Sequence, residues 1–92
     1  MPEIRQYPLL ASGGQNLSIP AGARILPARW HADRPGLHAL VEPTPPVVWR
    51  RISIYPTGAS LPFAPRRAHL ATCETPAGDL LHIFEDEPQR IL

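Results

Sequence analysis

Thirteen prolines punctuate this chain of 92 residues, at positions 2, 8, 20, 27, 35, 43, 45, 46, 56, 62, 65, 76 and 88. A proline inside a helix removes an amide hydrogen bond and clashes with the preceding turn, at about 3 kcal/mol. The longest proline-free windows, residues 9–19 and 77–87, hold eleven residues each, so a long helix has nowhere to sit. What fits between the prolines is a set of short strands punctuated by turns.

The apolar pattern agrees. The first run, residues 3–10, contains Pro8, which makes it an edge strand or ends it there. Residues 11–14 read as a turn. Residues 15–19 alternate, with Leu17 and Ile19 on one face, and Pro20 to Ala23 suit a tight turn. Residues 24–31 are interrupted by Pro27, which predicts a bulge or a bent edge strand. Asp33-Arg34-Pro35-Gly36 reads as a strong turn, residues 37–42 as the cleanest core strand, and residues 43–46 as a rigid loop. In residues 47–55, Ile52 and Ile54 oppose Arg51, Ser53 and Tyr55. A long loop follows to Arg67, then a strand over 69–74, a turn over 75–78, and a last strand over 80–85. In that last strand Leu81 and Ile83 oppose Leu80, His82 and Phe84. The expected fold is all-β: one domain, a small antiparallel sandwich or partly open barrel of six to seven short strands, with no long helix. The ordered core is expected over about residues 3–87, with a polar C-terminal tail. A chain of this size buries roughly 60–65% of its unfolded surface and folds alone with a thin margin.

Only 18% of the residues are charged, against 43% hydrophobic. Disorder is disfavoured because the apolar residues gather into compact β-rich runs. A weakly charged surface on so small a domain points to a homo-oligomer or a bound partner. All nine basic residues are arginine. Arginine suits phosphate, carboxylate and aromatic faces better than lysine, although a GC-rich genome, which favours arginine codons, is the simpler explanation. Residues 1–73 carry a net charge of +5 and residues 74–92 one of −4, which sum to the formal +1. That balance is too mild for general nucleic-acid binding, and the Glu85-Asp86-Glu87 run reads as a solvated strand exit. Cys73 is the lone cysteine, so no intramolecular disulfide forms and it reads as a small core residue. There is no signal-like apolar segment at the start and no run long enough to span a membrane as a helix. A cytoplasmic protein is expected.

No catalytic signature emerges, and a non-enzyme is expected. No serine sits in a Gly-x-Ser-x-Gly elbow. His69 and Cys73 lie four residues apart, which on a regular strand means one face but roughly 13 Å, too far for one ion. No metal site and no cofactor are predicted. The best site candidate is the loop after Tyr55. Thr57, Gly58 and Ser60 offer hydroxyls and free amides that can cradle an oxyanion. Arg50 and Arg51 precede it, and Arg66 and Arg67 follow it, with forks that pair with phosphate. Tyr55 and Phe63 could stack on a base. A proline-rich connector carrying arginines for solubility explains the same residues.

Several segments in order carry a family resemblance: Arg5-Gln6-Tyr7-Pro8-Leu9, Leu17-Ser18-Ile19-Pro20-Ala21-Gly22-Ala23-Arg24-Ile25-Leu26, His38-Ala39-Leu40-Val41-Glu42-Pro43, Arg51-Ile52, Tyr55-Pro56-Thr57-Gly58-Ala59-Ser60-Leu61-Pro62, and His82-Ile83-Phe84-Glu85. In these the chain resembles a family of short phage and prophage proteins known only as a domain of unknown function. Leu81 and His38 stand where that family tends to have aromatics, and Thr57-Gly58-Ala59-Ser60-Leu61-Pro62 departs from its Thr-Gly-His-Pro stretch. The resemblance implies phage origin and the host cytoplasm, and no activity. The resulting expectation is an accessory protein that acts by binding, as an inhibitor of a host protein in counter-defence. The rival expectation is a sponge for a phosphate-bearing small molecule such as a cyclic nucleotide.

Overall fold

The computed structural model describes residues 1–86; Glu87, Arg90 and the polar tail lie outside them. Seven strands form: β1 (Glu3–Pro8), β2 (Gly13–Pro20), β3 (Arg24–His31), β4 (Arg34–Val41), β5 (Val47–Pro56), β6 (Ala68–Glu74) and β7 (Leu80–Glu85). No helix occurs among the described residues, as the proline spacing dictates. The strands make two antiparallel sheets, ordered β1-β4-β3 and β2-β5-β7-β6, which face each other as a partly open sandwich. No closed barrel forms among the described residues, because no ladder joins the two sheets.

The strand prolines show how so many are accommodated. The Leu9 amide donates to Pro35 O, so the odd residues of β1 and β4 face each other. Pro8 therefore points its missing donor away from the ladder. Pro35 has the carbonyl that Leu9 needs, and its missing amide faces Leu9, one residue past the end of β1. By the same alternation Pro27 follows Leu26, which pairs with His38, and turns away from β4. Ala21 donates to Pro46 O, which leaves Pro20 pointing away from β5. Thr57 donates to Leu80 O, which leaves Pro56 facing past the end of β2. Pro8, Pro20, Pro27 and Pro56 thus cost no ladder hydrogen bond, the condition under which strands tolerate proline, and Pro35 forgoes only the return bond to Leu9.

Two turns differ from the expectation. Asp33-Arg34-Pro35-Gly36 does not form the turn: Ala32 and Asp33 do, with Ala32 left-handed at φ 53°, and Arg34 already begins β4. The Trp30 indole donates to Ala32 O at 3.1 Å and helps hold the reversal there. Pro35 and Gly36 are buried in the middle strand. Gly13 and Gly14 likewise belong to β2 and not to a preceding turn. The bulge foreseen at Pro27 is present, as a register shift between Leu26 and Arg29 on an edge strand.

The core lies between the sheets. Ile52, Ile54, Leu81, Ile83, Ala71 and Cys73 supply it from the four-stranded sheet, and Leu37, with Leu9 and Ala28, from the other side. A second cluster of Ile19, Ala39 and Val41 fills one end. Cys73 is fully buried, and burial pushes its thiol pKa up. The thiolate is the reactive form, so a disulfide-exchange reagent at neutral pH should label Cys73 in the native protein only as fast as the chain opens. Urea-unfolded protein should label far faster. Equal rates in the two states would mean that the interior admits solvent.

Candidate functional site

The expected phosphate cradle is largely taken apart by the fold. Arg50 points inward. Its Nε and Nη2 donate to the two carboxylate oxygens of Glu85 at 2.9 and 2.8 Å, with the side chains only 18% and 6% exposed. Glu85 is therefore an interior partner and Asp86 is half-buried, which corrects the reading of these two residues as part of a solvated exit; Glu87 lies outside the described residues. The reason is parity: Glu85 shares the inward face of β7 with Ile83 and Leu81. Arg67 is also half-hidden. Its guanidinium lies 5.8 Å from the Tyr55 ring centroid and its Nε 3.6 Å from Asp86 Oδ1. Asp86 accepts a hydrogen bond from the Ser53 hydroxyl, and its amide donates to Arg51 O. Arg51 and Arg66 are exposed. Arg51 reaches over Gly14, where a Cβ would collide with its guanidinium, toward Asn16 Oδ1 at 3.4 Å.

The loop between β5 and β6 is built from two turns. Ala59 donates to Pro56 O, with Gly58 at φ 92°, and Arg67 donates to Ala64 O. The Thr57 amide is committed to Leu80 O and cannot serve an anion. Ser60 is exposed, and Phe63 is 93% exposed. Phe63, Ala64, Pro65, Arg66 and Asp86 line a depression of about 270 Å³.

Beside this loop the outward face of the four-stranded sheet gathers residues that are distant in sequence. Tyr55 meets Phe84 edge-on at 6.1 Å, and Phe84 meets His69 at 5.4 Å. Thr57 Oγ1 lies 2.8 Å from His82 Nε2, His82 Nδ1 3.5 Å from Thr72 Oγ1, and Thr72 Oγ1 2.9 Å from His69 Nε2. The sequence pattern placed His82 and Phe84 on this face but missed His69 and Thr72. The cause is a register shift between His69 and Ala71. One extra residue turns His69 outward with Phe84 while Cys73 stays inward with Leu81. His69 and Cys73, expected on one face, lie on opposite faces. A Leu70 that is half-buried inside a short strand was the only local hint.

Of the nine residues singled out in the sequence, Tyr55, Thr57, Phe63, Arg66 and Arg67 thus lie on or beside one surface. Gly58 and Ser60 shape its loop, Arg51 stands apart toward β2, and Arg50 is inside. The surface can present edge-on rings, hydroxyls, imidazole nitrogens and the exposed guanidinium of Arg66, which has no ion-pair partner among the described residues.

The sequence matches the model of one family, described as "Domain of unknown function (DUF7352)", over residues 1–91. The chain belongs to the DUF7352 family. The match spans both sheets and all seven strands, so the whole described fold is the family domain. No curated protein and no solved structure matches the chain.

Proposed function

We propose that this DUF7352 protein is a non-catalytic binding module. It engages a protein partner through the outer face of β5, β7 and β6 and the loop over residues 57–67. The observation that carries this reading is Phe63, which is 93% exposed on a proline-flanked loop beside Arg66 and the Tyr55–Phe84–His69 row. Exposed aromatics and arginines are the residue types that dominate protein interfaces. The phosphate-sponge reading has less support, since Arg50 and Arg67 are committed to Glu85 and Asp86. The resemblance to short phage proteins directs the search to proteins of a bacterial host, in the host cytoplasm. Inhibition of a defence protein is the expected consequence.

Capture from host lysate should recover one stoichiometric partner. Phe63→Ala and Arg66→Ala should each weaken that complex by about 1–3 kcal/mol, roughly 5- to 150-fold, with unchanged melting temperatures. A partner bound equally well by both variants would remove this surface from the proposal. Calorimetric binding of a nucleotide, with no protein partner, would favour the sponge instead.

A further inference from the structure

We propose that the protein forms a two-fold symmetric dimer by pairing β2 with β2 of a second copy, edge to edge and antiparallel. Unpaired edge strands invite association, and proteins guard them with charge, proline, bulges or cover. Three of the four edges here are guarded. β1 carries Glu3 and Arg5 and ends in Pro8. β3 carries Pro27, a bulge and Arg24 and Arg29. β6 has its own bulge and packs beside β3. β2, with the sequence Gly-Gly-Gln-Asn-Leu-Ser-Ile-Pro, has no charge, no internal proline and an unbroken register from Gly13 to Pro20.

The open edge is self-complementary. Ala21 donates to Pro46 O, so the odd residues of β2 face β5. The N–H and C=O groups of Gly14, Asn16 and Ser18 therefore point outward, and no backbone partner meets them among the described residues. An antiparallel pair exchanges two bonds between directly opposed outward residues. Placing Asn16 opposite Asn16 of the second copy sets Gly14 against Ser18 and Ser18 against Gly14. Three opposed pairs with two bonds each give six hydrogen bonds. Shifting the register by two residues toward the end of the strand brings in Pro20, which has no N–H.

The side chains on the outer face support the same register. Trp49 is 60% exposed and sits beside Ser18 in the ladder. In the dimer, Ser18 faces Gly14 of the second copy, and over that glycine lies the exposed guanidinium of Arg51. Each Trp49 thus gains an arginine from the other copy, a cation–π pair, twice by symmetry. The result is one continuous eight-stranded sheet, and it leaves the surface around Phe63 and His69 free on both copies.

Sedimentation velocity over a concentration series should show a monomer–dimer equilibrium. Asn16→Lys puts two like charges on the symmetry axis and should weaken the dimer by about tenfold or more. Trp49→Ala should weaken it without touching the edge. Circular dichroism of both variants should match the wild type, because neither residue is in the core. Opposed residues in such a pair have Cα atoms about 5.5 Å apart, within disulfide reach. Asn16→Cys should therefore cross-link under mild oxidation into a covalent dimer, whereas Ser12→Cys should not. A wild-type protein that stays monomeric at every concentration overturns the proposal. So does an undiminished dimer of folded Asn16→Lys, or open-ended polymerisation.

Discussion

Glu85→Ala should lower the folding stability by about 3–5 kcal/mol, the cost of leaving a buried charge without its partner. Arg50 is held by both carboxylate oxygens of Glu85 on the inner face of the sheet, where water replaces the lost contact poorly. Domains of this size have roughly 5–15 kcal/mol in total, so much of the margin would go. The melting temperature should fall by more than about 10 °C, at ~4–8 °C per kcal/mol. Replacing both partners by apolar groups, Arg50→Met with Glu85→Leu, should restore most of the loss, because the penalty lies in the orphaned charge and not in the missing pair. Urea denaturation of the two single variants and the double variant measures this. A loss below about 1 kcal/mol for Glu85→Ala would place the pair with ordinary surface ion pairs.

Ile83→Ala should cost about 2–5 kcal/mol, while Ile4→Ala should stay within about 0.5 kcal/mol. The residue type is the same and the surroundings are not. Ile83 is fully buried on the inner face of β7, between Ile54 and Ala71 in the ladder. Truncating it removes apolar burial and leaves a cavity that two flanking strands cannot collapse. Ile4 lies on the outer face of β1 and is 66% exposed. The shift in the urea midpoint reads both effects. Equal losses would mean that the outer face of the three-stranded sheet is covered in solution, and the assignment of inside and outside in that sheet would fail.

The Cα breadth of the molecule, 38 × 31 Å against 15 Å in depth, is one reason to expect these large losses. A flat sandwich has a single thin core layer, so each inward residue of β5 and β7 touches much of it.

The sequence by itself determined the strand content and most inward faces. Proline spacing removed helices, because a missing amide and a fixed φ are local properties that no tertiary contact repairs. Alternation placed Ile52, Ile54, Leu81 and Ile83 inward, since side-chain direction in a strand repeats every two residues. Only the tertiary structure decided which groups meet across strands. It paired Arg50 with Glu85, 35 residues away, and so withdrew one arginine from the expected site. It flipped His69 relative to Cys73 through a one-residue register shift, which alternation counted from a single strand cannot see. It joined His69, Thr72, His82 and Thr57 on one surface, because hydrogen-bonded neighbours in a sheet are chosen by ladder order. It also moved the β3–β4 turn to Ala32 and Asp33, because pairing with Arg29, Trp30 and His31 carries Gly36, Pro35 and Arg34 into β4 and overrules the local preference of Asp33 to Gly36 for a turn.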